Sequence, residues 1–267
     1  MGPETASGEI RSLVKALAIL DCFNVDHPQL GVREIARQLN MSTSTVGRVL
    51  ATLHSAGVLS QDSTTRLYRI GSKVLSWSAV YMHGLDVREK ARPMLEELHQ
   101  LTQETVNLYI LDGIERVCVE RFESPQRIRV IVQIGERMPL YAGSAGKAIL
   151  AFAPAKLVER ILEKPLERMT DNTITSPKRL LEELRSVRNC GYAVSRAERF
   201  TDAMGLAAPI FDAAGNVTAA LNVSGPLVRF TDAEVAKYAP KVVQLANQVS
   251  QSLGYIDPHE LSKRSEG

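Results

Sequence analysis

The residues best placed to do chemistry sit on one short amphipathic stretch. With Val46, Val49, Leu50 and Leu53 committed to a core, the opposite face carries Ser44, Gly47, Arg48 and Ala51. Small residues around a single arginine let a helix approach a duplex closely, and a helix set in the major groove reads bases from its first turns. A bidentate guanine contact by Arg48 would supply about 1–3 kcal/mol of discrimination. The competing reading is a solvated surface charge. Thr43, Ser44 and Thr45 at the start of the stretch could donate to phosphates, whereas Ser42 suits an N-cap. From Ser42 to Lys73 the basic residues Arg48, Arg66, Arg69 and Lys73 oppose only Asp62. With a net charge of only +2, any nucleic-acid surface must be local.

A second candidate is the small-residue run Gly143-Ser144-Ala145-Gly146-Lys147. It is not a phosphate-binding P-loop, because Tyr141 stands where the first glycine is required and Ala148 where Ser or Thr is required. Two readings remain open: backbone N–H groups presented to a small ligand at a helix start, or a tight turn that lets helix and sheet pack. No nucleophile–base constellation or cofactor loop is visible. The three cysteines (Cys22, Cys118, Cys190) and five histidines are scattered without metal-ligand spacing. Cys118 and Cys190 read as core residues. No metal and no cofactor are expected.

Ile10, Leu13, Leu17 and Leu20 recur at helical spacing. Gly31 opens a second helix with Ile35, Ala36 and Leu39 inward, Asn40-Met41 turns the chain, and a third helix runs from Ser42 to Gly57. Two strands, 58–61 and 66–70, flank the polar turn 62–65, with Tyr68 directed into the core and Arg66 at the tip. Helix, helix, turn, helix and two-stranded wing make a winged helix-turn-helix. A mixed helix over 72–90 breaks near Gly84, and another is expected from Pro93. Strands follow at 106–111 and 115–121 around Asp112-Gly113, at 127–134, and at about 192–195, 205–211 and 216–224. Helices are expected after Gly146, around 178–189, and from Asp232 to Leu253. Helices on one side of a largely antiparallel sheet give an α+β class. The expected division is a DNA-binding domain (1–71), a linker helix (72–90), a ligand-binding domain (91–256) and a polar tail (257–267). The absence of a long apolar run argues against a membrane span, and the chain reads as cytoplasmic.

The run Leu39-Asn40-Met41-Ser42-Thr43-Ser44-Thr45-Val46-Gly47-Arg48-Val49-Leu50, followed by Leu67-Tyr68-Arg69-Ile70-Gly71, resembles the DNA-binding half of IclR-type bacterial transcription regulators. Thr105-Val106, Gly143 to Ala148, Gly191-Tyr192-Ala193, Ala207-Ala208-Pro209 and Asn222-Val223-Ser224-Gly225-Pro226 resemble that family's effector domain, in the same order. The resemblance implies a GAF-like effector domain and a homodimer or homotetramer on double-stranded DNA with a palindromic operator. It carries the effector pocket onto Ser144, Ala145, Ser195, Gly205, Asn222 and Ser224. Ser195 stands where relatives often have Asp, and Gly205 where they often have Cys. With that acid gone, and with Arg196 and Arg199 close in sequence, the expected ligand is a small organic carboxylate, walled by Ile128 and Val130. The alternatives are a small-molecule enzyme with an accessory DNA-binding domain and a winged module that binds protein. The apolar positions Val74, Leu75, Trp77 and Tyr81 are expected to pack across a dimer rather than within one chain.

Overall fold

The Ser42 hydroxyl accepts the Thr45 N–H at 3.3 Å and starts the third helix of a computed structural model that describes residues 10–84 and 86–256, the side chain of His83 excepted. The chain divides after Gly84 into two units. The first contains α1 (Arg11–Leu20), α2 (Val32–Gln38), α3 (Thr43–Ser55), β1 (Leu59–Gln61), β2 (Tyr68–Ile70) and α4 (Lys73–His83). Asn40, in the left-handed region at φ 50°, turns the chain between α2 and α3, and Gly57 at φ 76° ends the turn after α3. Ile19, Ile35, Val46, Leu50, Leu59 and Tyr68 form the core. Leu30 and Tyr68 exchange backbone hydrogen bonds at 3.0 and 2.9 Å, which adds a third short strand position to the wing.

The apolar stripe of α1 does not point inward. Ile19 is its one fully buried residue, while Ile10, Leu13 and Leu17 are 62, 59 and 62% exposed. The helix has two apolar faces, and periodicity alone favoured the longer one. On α4, Val74 is half-buried and Leu75, Trp77, Val80 and Tyr81 are exposed.

The second unit is built on one antiparallel sheet of order β5-β4-β3-β8-β7-β6. Its strands are β3 (Thr105–Asp112), β4 (Glu115–Phe122), β5 (Arg137–Pro139), β6 (Ala193–Arg196), β7 (Ala203–Phe211) and β8 (Val217–Pro226). Helices α5 (Asp86–Thr102) and α9 (Asp232–Ser252) cover one face through Leu95, Leu98, Val242 and Leu245. Helices α6 (Ser144–Phe152), α7 (Ala155–Leu162) and α8 (Pro177–Cys190) cover the other through Ile149, Leu150, Ile161, Leu180 and Leu184. The α+β class stands, but helices flank both faces instead of one. Strands covered on both faces lose the apolar–polar alternation, and β3 and β8 are buried along almost their whole length.

Several elements differ from expectation. α5 begins at Asp86, and Pro93, which suggested a helix start, lies inside it. Helix α7, only eight residues long but with Leu157, Val158, Ile161 and Leu162 on one apolar face, and the three-residue strand β5 were not expected. Segment 127–134 is not a strand. Side chains of neighbouring elements take alternate carbonyls there: Arg229 holds Ile128 O at 3.0 Å, Thr105 holds Val130 O at 2.8 Å, and Arg121 holds Val132 O. The alternation is therefore genuine, but side-chain donors replace a ladder partner. Cys118 is buried, whereas Cys190, at the last turn of α8, is exposed instead of core. The expected tail 257–267 lies outside the described residues.

Candidate functional site

The first unit presents α3 and the wing. Val46 and Leu50 anchor α3, with Val49 and Leu53 packed beside them, leaving Thr43, Ser44, Arg48 and Ala51 exposed. The first intrahelical bond is Val46 N–H to Ser42 O, so the N–H groups of Thr43 and Ser44 have no helical acceptor. Thr45 is drawn into the cap, its hydroxyl accepting from Ser42 Oγ at 2.9 Å. Gly47 is half-buried, and a Cβ there would meet only Val32 of α2, in ordinary contact at 4.0 Å.

Arg66 occupies the wing turn in the left-handed region at φ 60°. Its N–H donates to Asp62 O at 3.0 Å and its carbonyl accepts from Gln61 Nε2 at 2.9 Å. Asp62 holds the turn by accepting the N–H groups of Thr64 and Thr65, which keeps its carboxyl below the usual carboxylate range. The guanidinium groups of Arg48 and Arg66 have no hydrogen-bond or ion-pair partner among the described residues. Arg69, by contrast, donates to Ser60 Oγ at 3.1 Å.

The second unit contains a cavity of about 50 Å³ at the start of α6. Strand register builds its floor: Ser195, Gly205 and Ser224 align across β6, β7 and β8, and Asn222 aligns with Asn107 of β3. Asn107 Nδ2 donates to Asn222 Oδ1 at 3.1 Å, and Asn222 Nδ2 donates to Ser144 Oγ at 2.9 Å. The structure thus brings together Ser144, Ala145, Ser195, Gly205, Asn222, Ser224 and Val130 around one cavity. Ile128 is absent from that lining and belongs to an adjacent hollow. Arg196 is also displaced: it pairs with Asp232 on the solvent side, because its neighbour Ser195 takes the inward position on β6.

Arg116 is a site residue that no sequence motif marks. This β4 residue is 2% exposed, yet it lines the cavity and, among the described residues, has no carboxylate within ion-pair distance. Its Nη1 donates to Ala142 O at 2.8 Å and to Pro139 O, and its guanidinium lies over the Tyr109 ring at 5.4 Å. Burial lowers its pKa to about 10, and Arg199 acts in the same direction. A Cβ at Gly143 would come within 2.8 Å of Arg116 Nη2, and one at Gly146 would overlap Nη1 and Leu140 O. The two glycines therefore make room for a guanidinium.

Lys147 turns away from the cavity and is fully buried. It donates to Glu183 and to Val194 O, both at 2.7 Å, and pairs with Glu198. Glu198 also accepts the Gly143 N–H at 2.9 Å, which ties the lysine to the helix start. Arg199 lines the cavity mouth, stacked on Phe200 and paired with Glu136 at 2.9 Å. Two buried cavity-lining atoms, Arg116 Nε and Ser224 Oγ, have no hydrogen-bond partner among the described residues.

Comparison with known proteins decides the family. Residues 12–63 match the IclR helix-turn-helix domain, and residues 79–251 match the bacterial transcriptional regulator IclR C-terminal domain. The chain belongs to the IclR family. It is 40% identical to the HTH-type transcriptional regulator BhcR of Paracoccus denitrificans, over 91% of this chain and 88% of that protein. The Thermotoga maritima IclR crystal structure aligns at a TM-score of 0.75 and 32% identity, covering 92% of this chain and all of the other. An IclR homologue from Microbacterium hydrocarbonoxydans, crystallised with 4-hydroxybenzoate, aligns at a TM-score of 0.78 and 26% identity, covering 91 and 98%. As in the family, a winged helix-turn-helix precedes an α+β effector domain. Among the described residues, no helix is long and apolar enough to cross a membrane.

Proposed function

We propose that this protein is a cytoplasmic transcription regulator that reads double-stranded DNA through α3 and the wing, and whose operator affinity responds to a small organic carboxylate. Arg48 contacts a base edge from α3. Thr43 and Ser44 donate to phosphates at the helix start, Thr45 shapes the cap behind them, Gly47 keeps the helix surface small for close approach to the duplex, and Arg66 reaches a neighbouring phosphate. The observation that carries the DNA reading is that both arginines are exposed on elements ordered for groove entry and neither is spent on a protein partner.

For the ligand, the supporting observation is the buried Arg116 guanidinium, which has an unsatisfied Nε and no carboxylate partner among the described residues, beside the unsatisfied Ser224 Oγ. A carboxylate in the cavity would receive Arg116 and Ser224, with Ser144, Ala145, Ser195 and Asn222 around it. The Microbacterium homologue's ligand, 4-hydroxybenzoate, is of the same class. The exposed stripes of α1 and α4 support assembly as a homodimer or homotetramer, matched to a palindromic operator with half-sites one helical turn or a multiple apart. The relatives compared are named as regulators, which favours a regulator over an enzyme.

The test selects operator DNA from a random pool with the full-length protein. Affinity for the selected DNA is then measured with and without a panel of carboxylates and their amides. Acids should shift operator affinity and amides should not. Equal response to both would overturn the carboxylate; failure to enrich any sequence would overturn the DNA reading. Ligand and DNA sites are linked thermodynamically, so operator must change acid affinity by the same factor.

A further inference from the structure

Resting on the effector reading above, we propose that Glu136 sets the charge of the acid this cavity takes. By occupying Arg199 it leaves a single uncompensated cation, so the site selects monoanions and rejects dianions. Three cations stand at the cavity or directly behind it. Lys147 is matched by Glu198, with the half-exposed Glu183 as a second acceptor. Arg199 is matched by Glu136 at 2.9 Å. Arg116 alone of the three has, among the described residues, no carboxylate within ion-pair distance. Arg199 and Glu136 act on the Arg116 charge in opposite senses, as a cation and an anion beside one guanidinium must.

The backbone fixes Glu136 in place. Its carbonyl accepts the Cys118 N–H at 3.2 Å, its N–H donates to Gln133 O at 3.1 Å, and its Oε2 accepts the Gln133 N–H at 3.0 Å. Gly135, in the left-handed region at φ 86°, donates to Cys118 O at 2.7 Å and ties this turn to β4. Arg199 also lies on the Phe200 ring at 4.7 Å, and the Arg199 and Glu136 side chains are only 16 and 32% exposed. Arg199 therefore cannot turn to a ligand without stranding a largely buried carboxylate. A dianion would set its second charge against a pair that is already neutral, and nothing would offset the desolvation of that charge. The adjacent hollow offers no better partner. Its charged residues are Asp202, itself an acid, and Arg129, already paired with Glu123.

Calorimetry on the full-length protein compares malonate with malonamate and propanoate, which match its length and carry one charge fewer. With both malonate carboxyls ionised, the monoanions should bind roughly tenfold more tightly. Glu136→Gln frees Arg199 yet keeps an oxygen for the Gln133 N–H, and the preference should vanish or reverse. Combining Glu136→Gln with Arg199→Gln removes both charges and should restore most of the wild-type preference. A purely structural role for the pair predicts instead that the double variant departs further than the single one. Glu97→Gln removes an acid from the Lys241 pair, on the α5 and α9 face of the sheet, and should leave the preference unchanged. Equal binding of malonate and the monoanions by the wild type, or an unaltered preference in Glu136→Gln, refutes the charge selection and leaves the effector reading intact. If none of the three binds and no carboxylate shifts operator affinity, the effector reading fails and this proposal with it.

Discussion

Asn222 Nδ2 donates to Ser144 Oγ at 2.9 Å, across a space that exists because position 205 has no side chain. A Cβ on Gly205 would lie 2.6 Å from Ser144 Oγ and 3.5 Å from Asn222 Nδ2. The start of α6 and the floor of the sheet therefore meet through a hydrogen bond that only glycine permits.

Gly205→Ala should break that contact. The added methyl must push Ser144, and overpacking of this kind costs about 1–3 kcal/mol. The expected outcome is a lower unfolding midpoint together with weakened acid binding, read by thermal denaturation and calorimetry. Unchanged stability and unchanged acid affinity would mean that α6 adjusts freely and that the bond does not shape the site.

Much of this architecture was legible in sequence because its determinants are local. The Ser42 cap, the turn at Asn40, the β1–β2 pairing of the wing and the Asp112-Gly113 turn each lie within a dozen residues of the partners that define them. The cavity was legible only through family motifs. Arg116 went unseen because its burial depends on β5, on carbonyls of the 139–142 segment and on two glycines about thirty residues away. No local pattern separates such an arginine from the solvated ones around it. The inward turn of Lys147 was equally hidden, since Glu183 and Glu198 come from other elements. The α1 stripe misled because helical period reports an apolar face without saying what covers it.

The Lys147–Glu198 pair makes a prediction about stability. Both side chains are nearly inaccessible, at 1 and 6%, so removing one charge strands the other. Lys147→Met should destabilise the effector unit by about 3–5 kcal/mol. The double variant Lys147→Met with Glu198→Leu should recover part of that loss, because no unpaired charge remains there apart from the half-exposed Glu183. Additive losses in denaturant titrations would argue that the two residues are not coupled.

Arg48 and Arg66 should separate cleanly on DNA. Arg48→Ala should lower affinity by about 1–3 kcal/mol and relax base preference at one position of each half-site. Arg66→Ala should weaken all sequences alike and reduce the salt slope by about one. Arg66→Gly should do the same to DNA while raising stability by up to about 1 kcal/mol, since an L-residue at φ 60° is strained and glycine is not. Anisotropy titrations over a salt series read the first two effects and thermal melting reads the third. Two arginine variants with wild-type affinity would remove α3 and the wing from the interface.

The exposed face of α4 bears on assembly. Leu75 and Trp77 are 72 and 52% exposed, Val80 and Tyr81 accompany them, and α1 adds Ile10, Leu13 and Leu17. Burying a large apolar side chain is worth about 1.5–3 kcal/mol. A two-fold dimer would bury each of these positions twice, since an isologous interface uses the same patch on both subunits. Leu75→Glu combined with Trp77→Glu should therefore loosen the pairing of DNA-binding units and lower operator affinity on the order of a hundredfold, equivalent to about 3 kcal/mol. The effector unit has its own core and should still bind acid as before. Binding to an isolated half-site should change far less than binding to the full operator, which distinguishes lost pairing from a damaged α3. Full operator affinity in the double variant would mean that α4 does not join the two DNA-binding units.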